Sequence, residues 1–440
     1  LNMRPIIITK EIPCSDSKSG KKRVINRQET TLALEKERII TEEFQKWIWQ
    51  DEDRKRRLEK IYDETYGSEV VRHYDGSFLS FPEMSKNEKL FAYQKNAVAR
   101  IIFSPNTLLA HEVGSGKTFV MIAAGMEMRR IGISKKNMYV VPNNIIGQWK
   151  DIFKRLYPDA NLLCVEPSHF RPDKREKVIE TIKNSDYDAV IIAYSCFGMI
   201  PISKQYRIDS ITQEIAELNK LIEENLLVDK LKSDINKLSE ELDELIHSDD
   251  DLDGRTCFDD LGINTLFVDE AHNYKNLKIE TKIRNVSGIS TSGSVKCKDM
   301  HEKVRIVQKQ NDGRGAVFAT GTPISNSLTD VYVMQKYLQF GELALLGLKN
   351  FDSWVGMFAE KESQVEVCVD TNRFDFKTKF SKFHNLAELS CLLASIADFH
   401  SLDKQNEIPD FSGYNDDVSQ KTKELKDYLQ DISNRADIVH

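Results

Sequence analysis

Ala110-His111-Glu112-Val113-Gly114-Ser115-Gly116-Lys117-Thr118 is the stretch on which the fold turns. An apolar run at 106–110 precedes it, and Phe119, Ile122, Ala123 and Met126 follow it at helical spacing. Strand, glycine-rich loop and helix in that order are the context that a phosphate loop requires. Successive backbone N–H groups and the helix N-terminus then point at an anion. Gly114 and Gly116 would allow close approach, Ser115 lies between them, Lys117 would meet the β- and γ-phosphates, and Thr118 would ligate Mg²⁺. The ligand expected here is a nucleoside triphosphate with Mg²⁺.

Working outward, apolar strand candidates lie at 106–110, 138–141, 161–165, 189–194, 265–268 and 316–320, with helical patterns between most of them. Continuous apolar runs alternating with helices predict an α/β fold, a parallel sheet covered by helices on both faces. One interval breaks the alternation. Ile208, Ile211, Ile215, Leu218 and Ile222, then Leu231, Ile235, Leu238, Leu242 and Leu245, predict an antiparallel helical hairpin at 205–248. Its arms are too short for an independent coiled coil, so their stripes must bury against each other or a neighbour. Its acid-rich ends (Glu223, Glu224, Asp249, Asp250, Asp251) favour a protein partner over phosphate. The expected units are a linker and helical extension at 1–85, the ATPase lobe at 86–345, and a helical C-terminal segment at 346–440.

Two further motifs follow predicted strands. Asp269-Glu270-Ala271-His272 puts an acidic pair at the carboxyl end of a buried strand, where parallel sheets present ligand-binding groups. Asp269 would hold Mg²⁺ through water, Glu270 would orient and deprotonate the attacking water, and His272 would couple the site to its neighbour. Thr320-Gly321-Thr322-Pro323 supplies hydroxyls that would bond the acidic region and relay loss of the γ-phosphate. Asp269 and Thr118 are thus the candidate metal ligands, and Lys117, Asp269 and Glu270 the candidate catalytic residues.

In this order the motifs resemble the core of superfamily-two helicases, and the run from Thr320 to Ser327 is similar to Swi/Snf-related ATPases. Ala110, where many phosphate loops have Gly, is a departure common among such motors. The resemblance implies a RecA-like lobe with ATP as its triphosphate. It extends to Phe91-Ala92-Tyr93-Gln94, which is similar to the Q motif, so Gln94 would read the adenine edge. Pro142-Asn143 with Gln148-Trp149, and Tyr194-Ser195, resemble motifs that touch the DNA backbone. Pro142, Asn143, Gln148 and Ser195 are the residues this implies for DNA binding. Phe44 to Trp49, Tyr74 to Ser77 and Lys382 to Leu386 look like a narrower group, the large helicase–methyltransferase proteins of bacterial mobile elements and phages. A DNA adenine methyltransferase domain is the further partner implied.

The resemblance also implies a second RecA-like lobe bearing an arginine finger, in cis or in trans. After Thr322 no QxxGRxxR-like string occurs, and Arg435 is a poor substitute. With no initiating Met, the expectation is one segment of a longer or partner-completed enzyme, hydrolysing ATP weakly alone. Three functions compete: a motor on double-stranded DNA, a nucleotide-gated DNA-binding module without turnover, and a small-molecule phosphotransferase. The last does not explain Gln94 or Thr320 to Pro323.

Composition narrows little. A length of 440 residues suits two or three domains. A net charge of −7 neither indicates nor excludes a nucleic-acid partner, because binding depends on a local basic face. Arg54 to Arg57, and Lys296, Lys298, Lys303 and Arg305, are either such faces or solvated helix surfaces. Trp149 and Tyr194 either are core residues or meet a nucleic acid. No apolar run reaches the roughly 18 residues of a membrane span. Seven Cys without a CxxC pair suggest reduced thiols and a cytoplasmic setting.

Overall fold

The computed structural model describes residues 8–13, 21–66, 72–223, 228–247, 255–279, 281, 283, 293–323, 328–368 and 373–400. Strands β1 (Thr9–Pro13) and β2 (Lys21–Ile25) form an antiparallel pair and lead into helices α1 (Arg27–Gln50) and α2 (Glu52–Tyr66). Asn26 caps α1, its side-chain oxygen accepting from the Glu29 N–H at 3.4 Å. Within the basic run, the Arg54 guanidinium lies 3.6 Å above the Trp47 ring and donates to the Trp47 carbonyl at 2.6 Å. That arginine shields an aromatic side chain and is not part of a free basic strip.

The strand–helix series then runs α3 (Ala92–Phe103), β3 (Asn106–His111), α4 (Lys117–Arg130), β4 (Asn137–Val141), α5 (Ile146–Leu156), β5 (Leu162–Val165), α6 (Pro172–Asn184), β6 (Ala189–Ala193) and the single-turn α7 (Tyr194–Phe197). The expected hairpin follows as α8 (Lys204–Glu223) and α9 (Val228–His247). Its stripe residues Ile208, Ile211, Ile235, Leu238, Leu242 and Leu245 are half-buried, so the arms cover each other in part. The series resumes with β7 (Thr265–Val268), α10 (Val295–Gln310), β8 (Ala316–Thr320), α11 (Leu328–Leu338), α12 (Phe340–Leu345) and α13 (Phe351–Phe358). It ends with β9 (Ala359–Cys368), β10 (Arg373–Phe383), α14 (Leu386–Ile396) and β11 (Ala397–His400).

Seven strands form one parallel sheet in the order β11-β3-β8-β7-β4-β6-β5. Every residue of β3, β4, β6, β7 and β8 is buried, as strands covered on both faces must be. The fold is α/β, a parallel sheet with helices on both faces. One close contact fixes the helix that follows the loop. A Cβ on Gly125 of α4 would fall 1.9 Å from the Tyr139 hydroxyl of β4, and Tyr139 stacks on Phe267 of β7 at 4.6 Å. Asn137 donates to the Gly125 carbonyl at 2.8 Å from the same strand. Only glycine lets α4 settle this low on the sheet.

The C-terminal part differs from the expected helical segment at 346–440. Strands β9 and β10 pair as an antiparallel ribbon, and β11 adds to the sheet beside β3. The reasons are local: Val365 and Val367, then Phe374 and Phe376, alternate at the two-residue period of a strand. The four residues of β11 run straight out of α14 and cover the edge of β3 that would otherwise be unpaired. The sheet therefore extends past 345, to His400. Arg435, Glu224 and Asp249 to Asp251 lie outside the described residues. Among the described residues no helix is long and apolar enough to cross a membrane.

Candidate functional site

Strand order decides which motifs meet. The loops after β3, β8, β7, β4 and β6 lie side by side at the carboxyl edge of the sheet. Thr320, at the end of β8, thus sits between the phosphate loop after β3 and the acidic pair after β7. At about 4.8 Å per strand, the loop and the acidic pair are roughly 10 Å apart, and the end of β6 is roughly 19 Å from the loop.

Gly114 and Gly116 have φ of 89° and 78°, the left-handed region that glycine enters without a Cβ penalty. A Cβ on Gly116 would also meet the Gln94 amide nitrogen at 2.4 Å. Gly116 caps α4 with no side-chain hydrogen bond, leaving the first helical N–H groups for an anion. Lys117 is 8% exposed, and its ammonium donates to the His111 and Glu112 carbonyls at 2.9 and 3.0 Å. Burial lowers its pKa, opposed by the nearby charges of Glu270 and Asp269.

The Gln94 side chain is 4% exposed and engaged at both ends. Its oxygen accepts from the Phe91 N–H at 2.9 Å, and its nitrogen donates to the Ser115 carbonyl at 3.1 Å. One amide hydrogen and one oxygen lone pair remain for a base edge. Tyr93 donates to the same Ser115 carbonyl at 2.8 Å.

Asp269 is buried, and both carboxylate oxygens accept hydrogen bonds. One comes from the Trp149 indole at 3.0 Å, the other from the Glu270 N–H at 2.9 Å. Burial raises the Asp269 pKa, and the indole bond works against that rise. Glu270 has φ of 48° and ψ of 49°, a left-handed backbone that a residue with a Cβ adopts at a cost of about 1–2 kcal/mol. Its surroundings enforce it: the Glu270 carbonyl accepts from Asn273 at 3.0 Å and from the Tyr194 hydroxyl at 3.3 Å. Tyr194 also donates to the Asp269 carbonyl. His272 Nδ1 lies 3.2 Å from the Thr320 hydroxyl and 3.2 Å from a Glu270 carboxylate oxygen, so one imidazole touches both motifs. Thr320 in turn accepts from the Thr322 N–H at 3.1 Å across Gly321.

Beyond β4 and β6, Asn143 and Ser195 bond each other twice, at 3.0 and 3.2 Å. Both are exposed or half-exposed, as are Pro142 and Gln148. Trp149, by contrast, is a core residue whose one polar atom anchors Asp269. Among the basic groups of α10, Lys303 is fully buried. It donates to the Phe197 carbonyl at 2.6 Å and to Asp299 at 2.9 Å, so it cannot line a groove. Arg305 lies over the Phe340 ring at 3.8 Å, and Lys298 pairs with Glu241 of the hairpin at 3.7 Å. Sequence reading missed the roles of Tyr93, Trp149 and Tyr194 at the site. Their only signal was a tyrosine or tryptophan beside each motif.

The glycine-rich loop, the acidic pair and Thr320 thus meet at one edge of one parallel sheet, an arrangement of the helicase class. The chain belongs to the family described as "Probable helicase domain", which matches residues 103–401, well over half its length. A domain family of unknown function matches residues 1–68. Among curated proteins, the chain is similar to the "Defense against restriction protein B" of Escherichia phage P1, 23% identical over 368 residues. That match covers 73% of this chain and 16% of the phage protein. A Xenopus tropicalis SWI/SNF-related regulator of chromatin containing a DEAD/H box is 30% identical over 122 residues, covering 26% of this chain and 12% of that protein. The chain therefore spans a small fraction of the curated relatives it matches. Two structures of a Sulfolobus solfataricus SWI2/SNF2 ATPase core also match, one of them in complex with double-stranded DNA. The DNA complex has a TM-score of 0.37 at 15% identity, covering 64% of this chain and 41% of the other. The second has 0.40 at 14%, covering 78% and 50%.

Proposed function

We propose that this chain is the nucleotide-binding lobe of a DNA-dependent ATPase that couples ATP hydrolysis to movement on double-stranded DNA. The observation that carries the reading is the strand order, which sets Thr320 between Lys117 and Asp269–Glu270 and lets His272 touch both Thr320 and Glu270. Gly114 to Thr118 hold the phosphates, Gln94 reads the adenine edge with its remaining hydrogen and lone pair, and Glu270 orients and deprotonates the attacking water. The Thr118 hydroxyl and the Asp269 carboxylate are hard oxygen donors of the kind Mg²⁺ takes, and Asp269 keeps lone pairs beyond the two it already uses. When bound, Mg²⁺ supplies neutralisation of charge on the β- and γ-phosphates. His272, Thr320, Gly321 and Thr322 pass the nucleotide state along the sheet edge to Pro142, Asn143, Gln148 and Ser195, which meet the DNA backbone. Backbone contacts of that kind track a duplex without reading its sequence.

An arginine finger from a second RecA-like lobe, in cis or in trans, completes this reading and is worth on the order of 10³–10⁵ in rate. A methyltransferase partner rests on the sequence resemblance alone. The phage relative supports a setting in the cytoplasm of a bacterial or phage-infected cell.

The test is ATP turnover with and without double-stranded DNA, with Lys117→Ala as control. The expected result is DNA-stimulated turnover that falls at least ~100-fold, about 2.7 kcal/mol, in the variant. Equal ATP affinity and turnover in the variant would sink the site. Binding without turnover would mean one lobe of a motor that awaits its second lobe, or the nucleotide-gated DNA-binding module; restoring turnover by adding that lobe separates the two.

A further inference from the structure

We propose that His111, Asp398 and His400 form a latch through which β11 positions the phosphate loop and sets its affinity for nucleotide. The proposal rests on the reading that this loop binds nucleoside triphosphate.

His111 is the last residue of β3, and its side chain is fully buried. Its Nε2 lies 2.7 Å from a carboxylate oxygen of Asp398, on the neighbouring strand. Nδ1 is buried without a hydrogen-bond partner, which fits a ring that carries its proton on Nε2 and donates it to the carboxylate. Arg100 of α3 holds the other side of Asp398 at 3.9 Å and donates to the Ala394 carbonyl at the end of α14. A donor, a carboxylate and a guanidinium thus fasten β11 to the strand that launches the loop.

The same strand reaches the loop in two further ways. The Glu112 N–H donates to the His400 carbonyl at 3.0 Å, carrying the strand pairing one residue into the loop. The His400 ring stacks on Tyr93 at 3.8 Å and 11°, and the Tyr93 hydroxyl holds the Ser115 carbonyl. Both ends of the loop are therefore attached to β11. Between them, Lys117 is seated on the carbonyls of His111 and Glu112, the two residues the strand grips. Freeing the His111 ring would let that peptide turn and the ammonium leave its seat. These are positioning residues, since they would act through the loop backbone and the seat of Lys117.

Binding of a fluorescent ATP analogue with Mg²⁺ tests the latch, measured on the full chain well below its melting temperature. Asp398→Ala should weaken binding about tenfold, the size expected when a buried donor loses its acceptor. Asp398→Asn keeps an oxygen for Nε2–H and should recover most of the affinity. His400→Ala should lose several-fold, and His400→Phe, which keeps the stack on Tyr93, should recover it. A purely structural role would lower the melting temperature of Asp398→Ala without this pattern of rescue. Should Asp398→Ala fail to fold, the His400 pair decides. Wild-type affinity in Asp398→Ala, or equal losses in His400→Ala and His400→Phe, overturns the latch and leaves the nucleotide site intact. No binding by the wild-type chain overturns both.

Discussion

Two buried lysines make opposite use of similar surroundings. Lys303, at the foot of the inserted hairpin, donates to one carbonyl and one carboxylate and lies between the Phe197 and Phe258 rings at 4.4 and 5.6 Å. Its charge is neutralised inside the fold. Lys117 donates to two carbonyls, which are neutral, while Asp269 and Glu270 act on it only through space. Its charge remains directed at the open edge of the sheet. Burial lowers the pKa of both ammonium groups. The difference is therefore in the partners, and it separates a lysine that builds the lobe from the one proposed to serve a ligand.

The sharpest test of that contrast is Lys303→Met. It should destabilise the chain by about 2–3 kcal/mol, because Asp299, half-buried with its side chain 22% exposed, loses the cation it bonds. Adding Asp299→Leu should recover part of the loss in chemical denaturation, since an apolar pair replaces an ionic one. Destabilisation of that size by Lys117→Ala would erase the distinction.

Trp149→Phe probes the other charged centre and should cost about 1–2 kcal/mol of transition-state stabilisation, read as kcat/KM. The sign of its pH effect follows from Asp269. Burial raises that carboxyl's pKa and the indole bond lowers it, so loss of the indole raises it further. Turnover needs the ionised form, so the acidic limb of the pH–rate profile should move to higher pH. An unmoved limb would mean that the indole does not tune Asp269. The smallest effect is expected for His272→Ala, a two- to fivefold loss of DNA stimulation, roughly 0.5–1 kcal/mol, with basal turnover little changed. An undiminished response to DNA would break the relay between the acidic pair and Thr320.

Legibility in the sequence followed the range of the interactions. Five of the six strands in the central series announced themselves because burial on both faces demands unbroken apolar runs such as Ala189–Ala193, while the half-buried edge strand β5 was legible from its short apolar run alone. The loop and the acidic pair were visible because their chemistry is confined to a few consecutive residues. Strand β11 was not, since four residues continuing from α14 carry no pattern of their own. His111 and Asp398 are 287 residues apart, and nothing local to either names the other. Lys303 misled for a related reason. An Asp299–Lys303 pair one helical turn apart reads as a solvated ion pair, and only the approach of Phe197 and Phe258 takes it out of water.

The inserted hairpin is seated by Lys204, which donates to the Ile246 carbonyl at 3.1 Å, and by Ser203, which bonds Asp259 at 2.9 and 2.5 Å. Its foot stands one short stretch of chain from α7, beside Ser195. Arms of 20 residues reach about 30 Å from that pivot. A tilt of roughly ten degrees at the foot would then sweep the far end through about 5 Å. An element of that length magnifies rotation at its foot, so a dye on one arm paired with a dye on the sheet domain would report tilts there that are too small to see directly.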